Sequence, residues 1–144
     1  MTSVWLVLTN PYAYEEALSI AVTVAQKAET DLRVVFFIED NGVVGMVDEL
    51  SERGWFGSGS LKNLQTTMLE GYRSLADDVL KRVRRKAAPF EPILEGVVEQ
   101  ASLEEYVQTI IKQPVHKLII SSANLPSFEL VNYLDKVEWI KEGW

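Results

Sequence analysis

Apolar residues follow two alternating patterns along this chain, and together they predict strands that alternate with helices. Four short, nearly continuous apolar runs are rich in β-branched or aromatic residues: Val4–Leu8, Leu32–Ile38, Ile93–Val98 and Leu118–Ser121. Such runs are typical of strands that are covered on both faces in a parallel sheet. The third run contains Glu95 and Gly96, which favours a position nearer the edge of the sheet.

The segments between these runs repeat apolar residues every three or four positions, the period of an amphipathic helix. The first helical stripe lies between the first two strands and consists of Tyr14, Ala17, Leu18, Ala21, Ala25 and Ala28. The second is predicted from Leu64 to near Ala88 and consists of Met68, Tyr72, Leu75, Val79 and Val83. The third begins after Ser102, which has the spacing of a capping box with Glu105, and consists of Leu103, Tyr106, Val107, Ile110 and Ile111.

This order of elements predicts one α/β domain over residues 1–144, a doubly wound Rossmann-like fold with helices on both faces of a mostly parallel sheet. The sheet has four to five strands, since Val137–Ile140 alternates briefly enough for a short edge strand. Residues 127–135 are compatible with a short helix. Residues 42–63 interrupt the pattern, and their glycine-rich part, Gly54–Ser60, predicts a long surface loop or insertion.

Composition narrows the class of function. The chain carries 14 basic and 21 acidic residues, a net charge of −7, which opposes binding to nucleic acid. It has no cysteine, so disulfides, thiolate catalysis and cysteine-based zinc sites are excluded. Because no apolar run is long enough to cross a bilayer and the first residues lack the features of a signal peptide, we expect a soluble cytoplasmic protein that does not bind membranes.

Two parts of the chain resemble a known family. The first contains Thr9-Asn10-Pro11, the alanine-rich helix that follows and the strand Asp31–Ile38, and the second is Lys117–Ser122. Both are similar to the corresponding parts of universal stress proteins, and the resemblance runs from about Val4 to Ser122. It implies a Rossmann-like fold in a group that includes adenine-nucleotide-binding domains.

The chain departs from the family pattern at two places. The family's first strand usually ends in an Asp that helps to hold the nucleotide, and Asn10 stands at the matching position. The family's fourth strand is normally followed by a glycine loop whose backbone amides cradle phosphates, but no glycine occurs from Ala123 to Glu142. The resemblance therefore implies a divergent member that does not bind ATP in the family's usual way.

In an open α/β sheet, ligands bind at the carboxyl ends of the strands where the strand order reverses. Under the family's strand order this crevice lies between strands one and four, and its candidate ligand-binding residues offer hydrogen bonds but no ionisable group: Thr9, Asn10, Ser121, Ser122 and Asn124. These residues either hold a small polar ligand or only terminate strands and cap helices. An adenine-nucleotide or small-ligand sensor, with a phosphate contact from Gly57–Ser60, is the alternative hypothesis.

Other candidate residues point to protein contacts. Trp55 and Phe56, flanked by glycines, are available to dock on a protein partner, to fold over the crevice as a lid or to pack on the chain itself. Related proteins pair through a last edge strand, so a homodimer interface is expected at Val137, Trp139 and Ile140. The basic cluster Lys81–Lys86 either attracts an acidic partner or is simply a solvated helix end, and we expect the solvated helix end.

Catalytic and metal-binding arrangements are not evident in the sequence. His116 is the single histidine, and no nucleophile or acidic residue adjoins it. The leading hypothesis is a non-enzymatic universal-stress-protein-like module, with no cofactor, that acts through protein contacts.

Overall fold

The structure is a computed structural model that describes residues 2–39, 58–122 and 136–142. Its strands are β1 Ser3–Leu8, β2 Asp31–Glu39, β3 Ile93–Gln100, β4 Val115–Ser122 and β5 Val137–Lys141. The helices within these ranges are α1 Glu15–Ala28, α2 Ser58–Ala87 and α3 Leu103–Ile111.

The strands form one sheet in the order β3-β2-β1-β4-β5, and every neighbouring pair is parallel. β1 lies at the centre, where Leu8 is in register with Phe36 of β2 and with Ser121 of β4. β3 and β5 are the two edge strands. The predicted α/β class, the parallel sheet and the edge position of the third strand are confirmed.

Each face of the sheet has its own apolar core. The side chains of β1 alternate between the two, with Leu6 in the core beneath α1 and α2 and Val7 in the core beneath α3. Because period-2 alternation sends successive side chains to opposite faces, a strand that is apolar throughout contributes to both cores. The helices therefore cover both faces, as the doubly wound fold requires.

Helix α1 lies close to the sheet because its inward-facing residues are small. Ala17, Ala21 and Ala25 are fully buried on this face. The helix ends at Glu29, which adopts the left-handed conformation with φ of 53°, and the Thr30 amide donates to the Ala25 carbonyl at 3.1 Å. This end closes the helix and directs the chain into β2.

Helix α2 begins earlier than the sequence predicts. Residues 58–63 were expected to belong to the loop of residues 42–63, but the helix already starts at Ser58. The helical spacing indeed extends upstream through Leu61, and serine is favoured at helix starts. The rest of the predicted loop and the possible helix over residues 127–135 lie outside the described residues.

Helix α3 begins where the capping-box spacing predicts. The Ser102 hydroxyl accepts a hydrogen bond from the Glu105 amide at 3.4 Å. The helix packs on its face of the sheet through Val107 and Ile110, and the Tyr106 ring stacks on Phe37 with 5.2 Å between ring centroids.

Candidate functional site

The carboxyl ends of β1 and β4 lie side by side at the centre of the sheet. The chain leaves β1 for α1 on one face and reaches β4 from α3 on the other. This is the topological switch point, where open α/β sheets bind their ligands. The predicted crevice between strands one and four therefore exists as an arrangement of the backbone.

Thr9 and Ser121 are brought together at this point, as predicted. The Thr9 hydroxyl donates a hydrogen bond to the Ser121 carbonyl oxygen at 2.8 Å. The bond joins the ends of the two strands across 112 positions of sequence. Thr9 thus uses its donor inside the fold, and its contact stabilises the crevice wall.

Asn10 also makes a contact within its own loop. Its Oδ1 accepts a hydrogen bond from the Tyr12 amide at 2.8 Å, two residues further on. This is the Asx-turn arrangement, in which a short polar side chain replaces a backbone acceptor and turns the chain. In this structure Asn10 shapes the connection from β1 to α1.

A residue that the sequence analysis did not select, Glu142, reaches the same place from the end of β5. Its Oε1 accepts a hydrogen bond from the Ala17 amide at 2.7 Å, and its Oε2 accepts one from the Glu16 amide at 3.3 Å. Oε1 also accepts from the buried Ser121 hydroxyl at 3.3 Å. The candidate residues selected from the sequence carry no ionisable group, and Glu142 adds one at this place.

The position of Glu142 has a clear electrostatic reason. The first amides of a helix have no partner within the helix, and together with the macrodipole they favour negative charge. Tyr14, the residue that precedes α1, provides no side-chain cap. The Glu142 carboxylate supplies the missing acceptor from more than a hundred positions away, so the chain caps α1 with an anion of its own.

Ser122 and Trp139 meet on the other side of β4. The Trp139 indole Nε1 donates a hydrogen bond to the Ser122 hydroxyl oxygen at 2.8 Å. Trp139 and Val137 are half-buried against the core beneath α3, whereas Ile140 packs against the core beneath α1 and α2. The predicted partner-binding side chains of β5 thus contribute to the domain's own packing.

The remaining predicted site residues cannot be placed. Asn124, Trp55 and Phe56 lie outside the described residues, and their roles stay predictions. Within the described ranges, no group of three or more potential metal ligands is found. No helix in those ranges has both the length and the apolar character needed to cross a membrane.

A second polar contact lies where α1 begins and α2 ends. The Lys86 ammonium is 2.9 Å from the Glu15 Oε1 and 4.9 Å from the centroid of the Tyr14 ring. The hydrogen bond from Lys86 lowers the pKa of the Glu15 carboxyl, and the same hydrogen bond raises the pKa of Lys86. Both side chains are exposed, so the pair is an ordinary surface ion pair.

Nearly the whole chain is similar in structure to a known protein. It matches the universal stress protein UspA from Lactobacillus plantarum with a TM-score of 0.62, over 98% of this chain and 99% of that one. The chain has the fold of a universal stress protein. Identity between the two sequences is 13%, so the likeness concerns the fold. No family model and no curated protein matches the sequence.

The family resemblance inferred from the strands is thus confirmed at the level of the universal stress protein fold. Within that fold, Thr9, Asn10 and Ser121 lie at or just beyond the carboxyl ends of β1 and β4, and each is held by a contact inside the protein. Glu142 adds a carboxylate that neither the apolar pattern nor the resemblance indicated. The only signal in the sequence was the position of this acidic residue directly after the last strand.

Proposed function

We propose that this chain is a non-enzymatic, universal-stress-protein-like regulatory or interaction module. In this proposal it works in the cytoplasm as a homodimer and does not bind ATP in the family's usual way. The observation that carries the proposal is the Glu142 carboxylate on the Glu16 and Ala17 amides. Helix amides at a switch point are natural phosphate ligands, and here they already hold an anion.

The electrostatics of the crevice support the same proposal. A phosphate that approached the first turn of α1 would meet the Glu142 carboxylate, and like charges repel strongly where water is partly excluded. The absence of glycine between Ala123 and Glu142 also removes the residue type that lets a backbone approach phosphate closely. The crevice thus suits a structural role better than nucleotide binding.

Thermal unfolding with a panel of ATP, ADP, AMP and cyclic nucleotides tests the nucleotide part of the proposal. A ligand present at about 100 times its Kd stabilises a protein by about 2.7 kcal/mol. For a domain of this size, that corresponds to a rise in Tm of about 5 °C or more. We expect no rise with any of the compounds, and a rise of that size with one of them would favour the adenine-nucleotide sensor instead.

The edge strand β5 is the proposed homodimer interface. The Lys136 carbonyl accepts a hydrogen bond from the Leu118 amide at 2.6 Å, and the Glu142 amide donates to the Ser122 carbonyl at 3.2 Å. Because alternate residues of a strand direct their backbone groups to opposite sides, Val137, Trp139 and Lys141 direct theirs away from β4. This row of backbone groups can pair with the same strand of a second copy.

The dimer is tested by light scattering at micromolar concentration. The variant Lys141→Pro removes an amide from the open side of β5, and Lys141→Ala keeps that amide while removing the same side chain. We expect the wild type and Lys141→Ala to be dimers and Lys141→Pro to be a folded monomer. A monomeric wild type, or a Lys141→Pro variant that dimerises as well as Lys141→Ala, would contradict the proposed interface.

A further inference from the structure

A groove runs between α1 and the end of α2, on the face of the sheet that both helices cover. It contains an open hollow of about 390 Å³, and the apolar floor of this hollow includes the buried side chains of Leu18 and Ala87. Val22 and Pro89 extend this apolar surface towards the solvent. The volume lies in the range of ligand pockets and accommodates one or two apolar side chains.

A second hollow adjoins the first. It has a volume of about 610 Å³, shares Ala88 and Pro89 with the first hollow, and is also lined by Arg84 and Phe90. The two hollows meet at Ala88 and Pro89, in the turn that follows α2. We call the two hollows together the α1–α2 groove.

The end of α2 carries a cluster of positive charge, in which Lys86 lines the first hollow and Arg84 lines the second. Lys81, Arg82, Arg84 and Arg85 are exposed, and none of them has an ion pair within the described residues. The helix dipole favours cations in the last turn, yet it does not require four unpaired cations within five residues. The chain has a net charge of −7, so this patch stands out against an acidic protein.

We propose that the α1–α2 groove binds an acidic segment of a partner protein. An apolar side chain of that segment occupies the first hollow between Leu18 and Pro89, and its flanking carboxylates contact Arg84 and the neighbouring cations. Arginine pairs with carboxylates through two parallel hydrogen bonds, which gives such a contact orientation as well as attraction. The groove contains no residue of β5, so this inference does not depend on the proposed homodimer.

A protein segment fits these features better than a nucleic acid. Leu18, Val22 and Pro89 are among the apolar residues that line the groove, and they offer nothing to a phosphate backbone. The net negative charge of the chain also repels a long polyanion more than a short acidic peptide. Charge complementarity and the apolar hollow therefore point to the same class of partner.

Fluorescence anisotropy with a labelled peptide tests the inference. The probe is a short peptide in which glutamates flank a central Leu-Phe pair. A second peptide replaces that pair by Ala-Ala, a third replaces the glutamates by lysines, and a thymidine oligonucleotide of similar charge represents nucleic acid. We expect the first peptide to bind the wild-type protein at least about tenfold more tightly than each of the other probes, a difference of about 1.4 kcal/mol.

Matched variants locate the binding site. Arg84→Glu reverses a charge in the groove, and Lys112→Glu makes the same change at the exposed end of α3, on the other face of the sheet. Ser19→Trp fills the first hollow from its exposed rim on α1. All three positions are exposed, and circular dichroism before each titration confirms that the variant is folded.

We expect Arg84→Glu to weaken binding of the Leu-Phe peptide about tenfold or more, and Lys112→Glu less than about threefold. Ser19→Trp is expected to abolish the preference for Leu-Phe over Ala-Ala. The inference is overturned if the wild type does not bind the Leu-Phe peptide, if the oligonucleotide binds more tightly, or if Lys112→Glu weakens binding as much as Arg84→Glu. We expect the peptide to bind even though none of the nucleotides raises Tm, because the two experiments probe different sites.

Discussion

Helix α1 borders two very different surfaces, the crevice at its first turn and the α1–α2 groove along its side. In the crevice the polar groups are occupied inside the protein, since Thr9 donates to Ser121 and Glu142 accepts from Ala17. At the end of α2, Lys81, Arg82, Arg84 and Arg85 have no ion pair within the described residues. The difference shows that a binding surface depends on which polar groups remain available after the fold has formed its own contacts.

Among the variants that test this comparison, the one that removes the Glu142 carboxylate is expected to lower the free energy of unfolding most. Glu142→Ala leaves the Glu16 and Ala17 amides and the Ser121 hydroxyl without that acceptor. Losing a charged hydrogen-bond partner of this kind costs about 1–3 kcal/mol of unfolding free energy. Urea denaturation measures this loss, and the m value is expected to stay unchanged.

The adjacent exposed residue provides the control for this experiment. Lys141→Ala removes a long charged side chain next to Glu142 and is expected to change stability by less than about 0.5 kcal/mol. Equal stability of the Glu142→Ala and Lys141→Ala variants would show that the carboxylate does not hold the crevice together.

A smaller loss of stability is expected when the hydrogen bond between Thr9 and Ser121, which joins the ends of β1 and β4, is removed. Thr9→Val keeps the shape of the side chain but cannot donate to the Ser121 carbonyl, so it should cost about 0.5–1.5 kcal/mol. Thr23→Val is the matched control, because the Thr23 hydroxyl donates to the Ser19 carbonyl within α1 on an exposed surface. Thermal unfolding of both variants compares the two sites, and a greater loss in Thr23→Val would argue against a structural role for Thr9.

The ion pair at the rim of the groove is expected to contribute less, and only within a defined pH range. The folded-state pKa of Glu15 is lowered from its ordinary value of 4.5, so its stabilisation is present above that value and is lost as the pH falls through the folded pKa. The pKa of Lys86 is raised from 10.5, so its stabilisation is present below that value and is lost as the pH rises through the folded pKa.

Lys86→Met should therefore lower stability by less than about 1 kcal/mol at neutral pH, and by progressively less as the solution is acidified below pH 4.5. Lys27→Met, at the exposed end of α1, is the control, and its effect should not vary with pH over this range. Denaturation curves from pH 3 to pH 7, in low and high salt, make the comparison. A Lys86→Met effect that is independent of pH and salt would mean that packing on Tyr14, rather than charge, explains the contact.

The smallest effect on stability is expected from replacing Arg84 or Arg85, two exposed cations at the end of α2. Arg84→Gln and Arg85→Gln should each change the unfolding free energy by less than about 0.5 kcal/mol, because neither side chain has an ion pair to lose within the described residues. The same denaturation assay measures them beside Glu142→Ala. A loss above about 1 kcal/mol in either variant would mean that the arginine stabilises the fold. Its charge would then be engaged inside the protein, as the polar groups of the crevice are.

Local patterns were sufficient to predict most of the fold. The apolar runs predicted β1 and β4 because strands buried on both faces need apolar residues throughout, and the alanine stripe predicted α1 because a close helix needs small residues. The start of α2 was missed because Gly57–Ser60 has the composition of a loop, while the helical spacing of Leu61 with Leu64 supplied a weaker signal.

The candidate site was only partly predictable. Neighbouring parallel strands end at the same edge of the sheet, so the sequence could place Thr9 and Ser121 close together at the ends of β1 and β4. Glu142 could not, because its contact with Ala17 joins positions 125 apart and depends on the register of β5 against β4. Nor could the sequence show that Thr9 and Asn10 satisfy their polar groups internally, because that depends on distances that periodicity does not contain.

The most direct test of the occupied crevice follows the backbone amide of Ala17 by nuclear magnetic resonance, in the wild type and in Glu142→Gln. The account predicts that the Ala17 and Glu16 amide signals shift in Glu142→Gln and stay in place when millimolar ATP is added to the wild type. Movement of these signals by ATP in the wild type, with no response to the loss of the Glu142 charge, would contradict it.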